Sequence, residues 1–417
     1  MIHFLIPFLI FLLPFSGSSR SFFEIKATKD GEIPLVLDPF GFFFSVDLIK
    51  QSPEDFNVPS RGIMYPSLSS SNTMLALDQC LAFNKYDCSQ YDCTEYPDQK
   101  ADFVYPYFEA EGYNAKATLI LDYDNWILNV PTALMSICTG WNMFGGNAYG
   151  IIGLGHADTS PNFIGSKIFS IYLPQDGSYG KLLFHWNSSY ASSENPLVSL
   201  KSDDDWHVHS VNSILIGNSS LEVEDLELVF DLTGLGLGLP RAIFEDVLKN
   251  LKESHKIDCQ GFYFNPNCTF VGYVKDFPSL AFKFATGETF VIPPEAYVKD
   301  GHDEVVRDPN ITLSLRALSS EFEKNLSYVS PTYDKTIIVG SYIMRSFYLK
   351  FNIINNTISV YDANHSSLNT NDNFWNYVII LLILVAATLA ICFIVGTKKT
   401  KRNESADKTA PLVNNTQ

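Results

Sequence analysis

Asp231 is the residue with the clearest chemical potential. It follows the apolar pair Val229-Phe230 and leads into Leu232-Thr233-Gly234-Leu235, with Leu239-Pro240 closing the run. A carboxylate in that setting serves acid–base chemistry when a second carboxylate shares its proton. Other constellations carry less. His207 and His209 stand at i, i+2 and share one strand face, as metal ligands can. No further Cys or His is near in sequence, so they read as solvated strand residues. Gly234, Gly236 and Gly238 lack the spacing and the Lys of a phosphate loop. Cys88 and Cys93 have zinc-like spacing, but no second knuckle matches them. Neither a serine nucleophile elbow nor a zinc-protease helix motif stands out. No metal and no cofactor is expected.

The elements that would position these groups are mostly strands. Short apolar or alternating runs lie between Asn, Asp, Gly, Pro and Ser clusters from Ile33 to Asp362. Residues 42–48, 102–108, 115–121, 181–185, 206–216, 279–284, 336–339, 347–353 and 357–361 all read as strands. Pro240 to Lys252 is the best helix, with Ile243, Val247 and Leu251 at helical spacing. Many strands and few helices indicate a mainly β fold.

The ordered motifs resemble the pepsin-like aspartic peptidase family (peptidase A1). Tyr149 to Gly155 is similar to the family's Gly-Ile-Ile-Gly-Leu-Gly strand, and Phe169 to Leu173 and Gly180 to Phe184 to its next two strands. Trp206 to Gly217 resembles the opening of the second lobe. Phe277 to Phe282, Pro293 to Val298, Val339 to Tyr348 and Phe351 to Val360 resemble its later segments, in the family's order. The texture is closest to divergent invertebrate, nematode-like members. The resemblance implies a bilobal β fold whose lobes face each other across a cleft. In active members each lobe presents an Asp-Thr-Gly loop, and a flap tyrosine closes over the substrate.

Both loops depart from that pattern. The run 229–240 resembles the second loop, with Asp231 retained and the following Thr-Gly-Thr-Ser replaced. Val46 to Val58 resembles the lead-in to the first loop, which places Arg61 where the first aspartate is lost. In an alternative register Asp47 is the first aspartate, followed by Leu48-Ile49 rather than Thr-Gly. Tyr107 matches the flap tyrosine in a segment that has lost its glycines; an ordinary hairpin with a surface tyrosine reads equally from the same residues.

The ends and the charge balance bound the setting. Residues 1–18 read as a signal peptide. Residues 33–190 and 191–363 would be the two lobes, 364–375 a stalk, 376–396 a membrane-spanning helix and 397–417 a cytoplasmic tail. Lys398, Lys399, Lys401 and Arg402 after the apolar segment orient it as a type I, single-pass protein. The net charge of −17 argues against a nucleic-acid partner. Asn187, Asn218, Asn267, Asn310, Asn325, Asn355 and Asn364 all open glycosylation sequons on the predicted lumenal side. Cys80, Cys88, Cys93, Cys138, Cys259 and Cys268 share that side and are disulfide candidates, with Cys259 and Cys268 the most plausible local pair. The remaining pairings stay open.

Three functions are expected from these residues. The first is a glycosylated, membrane-anchored pseudopeptidase of the secretory pathway, at the cell surface or in the endolysosomal system, holding a peptide or protein in its cleft. The second is an active endopeptidase using Asp47 and Asp231. The third is a cell-surface structural or adhesion protein.

Overall fold

The computed structural model describes residues 32–38, 41–48, 60–68, 73–77, 85–91, 93–104, 108–122, 125–140, 148–155, 167–175, 179–232, 236–260, 265–270, 273–298, 310–318 and 335–365. The expected signal peptide, the 376–396 segment, Tyr107, Cys80 and Asn325 lie outside these residues. Among the described residues no helix is long and apolar enough to cross a membrane. The chain divides into two compact units, Met1–Asn364 and His365–Gln417, and the described strands and helices all belong to the first.

Among the described residues the elements of the first half are strands: β1 (Glu32–Asp38), β2 (Gly41–Leu48), β3 (Ser60–Ser67), β4 (Thr73–Ala76), β5 (Cys93–Val104), β6 (Phe108–Asp122), β7 (Asn125–Gly140), β8 (Ala148–Gly153), β9 (Ile168–Tyr172) and β10 (Gly180–Leu183). The second half adds β11 (Val198–Lys201), β12 (Val208–Ile216), β13 (Ser219–Asp231), β14 (Leu237–Pro240), α1 (Arg241–His255), β15 (Asp258–Gln260), β16 (Asn267–Thr269), β17 (Leu280–Phe284), β18 (Thr289–Ile292), α2 (Pro294–Tyr297), β19 (Asn310–Thr312), β20 (Leu315–Leu318), β21 (Thr336–Gly340), α3 (Ser341–Met344), β22 (Phe347–Asn352) and β23 (Thr357–Asp362). The mainly β expectation holds. The expected helix from Pro240 is α1, which buries Phe244, Val247 and Leu251, one stripe at helical spacing. The expected strand 102–108 is divided between β5 and β6. Pro106, between them, has no N–H to give a ladder.

β13 shows how sequence pattern becomes position. Its first half alternates apolar and acidic residues, Leu221-Glu222-Val223-Glu224, and lies toward solvent. Its last residues, Leu228-Val229-Phe230-Asp231, run apolar up to the carboxylate, and the final four of the strand are buried. A strand covered on both faces has no use for alternation. The sequence therefore drives the Asp231 end of β13 into the core.

The two halves repeat one sheet motif. β2 pairs antiparallel with β3, β3 parallel with β8, β8 antiparallel with β4, and β4 parallel with β7. In the same order β12 pairs antiparallel with β13, β13 parallel with β21, β21 antiparallel with β14, and β14 parallel with β20. A six-strand array, β11-β23-β22-β9-β10-β1, interleaves strands from both halves. Phe169 on β9 stacks on Phe351 of β22 with centroids 4.5 Å apart, and Trp206 packs edge-on against both rings. Among the described residues two disulfides close local loops, Cys88–Cys93 and Cys259–Cys268. Cys138 lies in β7, its backbone opposite Ala110.

Candidate functional site

Asp231 ends β13 and is 1% exposed. The parallel ladder with β21 sets Val229 opposite Ile338, Phe230 opposite Val339 and Asp231 opposite Gly340. In the first half the matching ladder sets Tyr65 opposite Ile151, Pro66 opposite Ile152 and Ser67 opposite Gly153. Ser67 is thus the residue whose place in the repeat corresponds to Asp231, and it is equally buried. The third strand of each motif supports the same register. Met74 of β4 faces Ile151, and Gly238 of β14 faces Ile338. Met74 follows Ser67, and Gly238 follows Asp231, at the same sequence spacing. The next residues match as well: Leu68 and Leu232 are both fully buried.

Close backbone approach holds both ends in place. A Cβ on Gly150 would lie 1.9 Å from the Met74 carbonyl oxygen, so β4 can cross β8 there only against a glycine. Gly236 is similarly tight against the Ser314 carbonyl oxygen at 2.5 Å. The Ser67 carbonyl accepts the Leu154 N–H at 2.8 Å, and the Gly236 carbonyl accepts the Gly340 N–H at 2.8 Å.

Arg61 and Asp47 lie elsewhere. Arg61 is near the start of β3, with its backbone opposite Asp47 of β2, and Asp47 is also opposite Ile120 of β6. Six residues separate Arg61 from Ser67, roughly 20 Å along an extended strand. Arg61 and Asp47 are therefore brought together, and neither occupies the register position that matches Asp231. Local sequence could not reveal this, because the position is defined by pairing with β8, far along the chain. The usable signal is internal: Pro66-Ser67-Leu68 reads against Phe230-Asp231-Leu232 at equal spacing from the next strand of each motif.

The segment expected to form the flap is a long hairpin of β5 and β6. Residues 105–107, Tyr107 among them, lie outside the described residues. Among the sequons, Asn218, Asn267 and Asn355 are exposed, and Asn187 and Asn364 are half-buried. Asn187 caps a short turn, its side-chain oxygen accepting the Ser189 N–H at 3.1 Å. Asn364 donates its side-chain amide to the Ser189 carbonyl at 3.1 Å. The backbone of Asn310 begins β19.

His207 and His209 are the other chemical pair, and the structure surrounds them with carboxylates. His207 Nδ1 lies 3.5 Å from Glu227 Oε2, His209 Nδ1 lies 3.7 Å from the same oxygen, and His209 Nε2 lies 2.9 Å from Asp203 Oδ2. Burial disfavours the charged form of His207. The Glu227 carboxylate, with Asp203 and Asp205 behind it, outweighs that and raises the imidazole above its ordinary value. Burial likewise opposes ionisation of Glu227, but hydrogen bonds from His207 and Thr336 and the charges of both histidines hold its carboxyl below the usual range. Among the described residues no group of three or more His, Cys, Asp or Glu is arranged to hold a metal ion.

No curated protein matches the chain. The family model of eukaryotic aspartyl proteases matches residues 143–363, more than half of the sequence. The match takes in β8, Asp231, β21 and the strands after it, and it begins after Ser67. The chain belongs to the eukaryotic aspartyl protease family.

Proposed function

We propose that this chain is a catalytically silent member of the family, divergent and closest to invertebrate relatives, that holds a peptide or protein segment in a cleft between its two halves. The observation carrying the reading is the register of the two parallel ladders, Ser67 beside Gly153 and Asp231 beside Gly340. Water activation by paired carboxylates needs two acids close enough to share one proton, so that one stays protonated while the other takes up a proton from water. A serine hydroxyl does not ionise in that range and cannot fill either role. On this reading Ser67, rather than Arg61 or Asp47, holds the place of the first aspartate.

The setting we propose is a type I membrane glycoprotein of the secretory pathway. Its support is the apolar 376–396 segment with basic residues behind it, the apolar amino terminus and the density of sequons ahead of the apolar segment. Exposed Asn218, Asn267 and Asn355 would carry glycans most readily.

The test is cleavage of a diverse peptide library by the purified full chain, at acidic and neutral pH, with and without a transition-state aspartic-peptidase inhibitor. The expected result is no cleavage at either pH. Inhibitor-sensitive cleavage that Asp231→Asn abolishes would overturn the reading and establish an active endopeptidase. Capture of library peptides without turnover would separate a binding protein from one whose fold serves adhesion alone.

A further inference from the structure

The segment from Asp203 to Ser210, a turn leading into the first residues of β12, meets both repeated halves and carries both histidines. Asp203 organises it: Oδ1 accepts the Asp205 N–H at 3.0 Å and the His207 N–H at 2.8 Å. The Asp203 N–H in turn donates to the His207 carbonyl at 3.0 Å. Trp206 in the turn and Ser210, where β12 shifts register against β13, take positive φ angles of 60° and 67°. A left-handed Trp is costly and persists only where its surroundings hold it. Trp206 is fully buried, and its indole N–H donates to the Leu154 carbonyl at 2.9 Å. Leu154 follows Gly153, and its own N–H donates to Ser67. On its other side the loop meets β13 through His207, His209 and Glu227, four residues ahead of Asp231.

We propose that His207, with His209, Glu227 and Asp203, forms a proton-operated latch that clamps the 203–210 segment onto β13 while the His207 imidazole is protonated and loosens it when that proton leaves. Protonated, His207 directs its Nδ1–H toward Glu227 Oε2, while its buried Nε2 has no protein acceptor. Glu227 Oε2 then lies beside the His207 cation, and His209 sits 3.7 Å from the same oxygen and 2.9 Å from Asp203 Oδ2. Once His207 is neutral, the same geometry leaves Glu227, Asp203 and Asp205 as like charges around an uncharged ring.

The groups acting on the pair come from each element around it. The loop supplies Asp203 and Asp205, and β13 supplies Glu227. From β21 the Thr336 hydroxyl donates to Glu227 Oε1 at 2.6 Å, and the carbonyl of Lys335 accepts the Glu227 N–H at 2.9 Å. On the flanks Asn356 donates to Asp204 at 2.8 Å, and Ser210 meets Asp225 at 3.5 Å.

The two shifts act over one pH interval. His207 is raised in the folded chain, so its contribution is complete below the unfolded value and disappears as pH rises through the folded one. Glu227 is lowered, so its contribution is present above its unfolded value and disappears as pH falls through the folded one. The latch is therefore closed in the interval between the lowered carboxyl and the raised imidazole. Because Trp206 reaches Leu154 and Glu227 lies on the Asp231 strand, opening it relaxes both ends of the candidate site together. A link to ligand release rests on the proposed binding function; the latch itself does not.

Amide hydrogen exchange of the full chain in mild detergent tests it, with labelling times corrected for the intrinsic rate at each pH. Peptides covering 203–210 and 227–231 should be better protected at pH 5.5 than at pH 8, as the raised imidazole requires. In the His207→Gln/His209→Gln variant the two profiles should coincide. Should that variant fail to fold, Glu227→Gln is the second: protection of 203–210 at pH 5.5 should fall to the pH 8 level while β22 and β23 stay protected. Wild-type protection independent of pH, or a pH dependence that persists in either folded variant, overturns the proposal. Exchange reads the loop and not a ligand, so this result and the binding result are separable.

Discussion

The Trp206 indole N–H donates to the Leu154 carbonyl oxygen at 2.9 Å, across 52 residues of sequence and inside the core. Leu154 is one residue beyond the Gly153 that faces Ser67, and Trp206 opens the loop into β12. The bond ties the first half's site strand pair to the second half. Trp206→Phe keeps an aromatic ring against Phe169 and Phe351 but strands the buried Leu154 carbonyl. A buried acceptor left unpaired costs about 1–3 kcal/mol. The expected outcome is a lower denaturant midpoint with an unchanged slope.

Gly150 and Gly287 separate two reasons for glycine. Gly150→Ala would drive a methyl into the Met74 carbonyl, where backbone must move, and should cost about 3 kcal/mol or more. Gly287 has φ of 104° and nothing within 4 Å of a new Cβ, so Gly287→Ala costs only the conformation, about 1–2 kcal/mol. Comparing the unfolding free energies of the two variants checks the order; equal costs would mean that β4 and β8 do not cross in close backbone contact.

Ser67→Asp places a carboxylate at a fully covered strand end. Burial raises the pKa of such an acid in the folded chain, so the folded state binds the extra proton. Stability of this variant should rise as pH falls through that raised value and drop as pH increases toward 7, by several kcal/mol in the ionised form. Thermal unfolding against pH reads the difference from wild type. A pH profile parallel to wild type would show that position 67 is open to solvent.

Tyr348 is held at its hydroxyl by Ser170 Oγ at 2.8 Å and by the Asn187 N–H at 3.2 Å. Burial pushes its pKa up to about 12, these hydrogen bonds offsetting part of the effect. Trp186 stacks on its ring at 4.8 Å, and Lys350 lies over Trp186. Tyr348→Phe removes only the oxygen and should cost about 1–2 kcal/mol, measured by chemical denaturation.

Much of this architecture is legible in the sequence. The runs at 347–353 and 357–361 form β22 and β23 because alternation and hairpin spacing are local properties. α1 is legible for the same reason, from one apolar stripe behind a proline. Asp231 is legible because its apolar lead-in is contiguous with it. Ser67 is not. Nothing in Met64-Tyr65-Pro66-Ser67 marks the last residue as the counterpart of a carboxylate, since the match depends on β8 and on a repeat visible only in strand order. The environment of His207 is hidden likewise: Glu227 is distant in sequence and close only after β12 and β13 pair.

The array β11-β23-β22-β9-β10-β1 sets Val198 beside Val360 and Ile168 beside Asn352, partners more than 150 residues apart. Such a seam cannot form piecemeal as the chain leaves the ribosome. Strand β9 must wait, with one flank bare, until β22 has been made, and β11 until β23 has been made. Sheets closed by distant partners form slowly and expose adhesive strand edges in the interval. The join between the halves is therefore also the step at which a nascent copy is most exposed to chaperones, and at which truncation short of Asp362 does most harm.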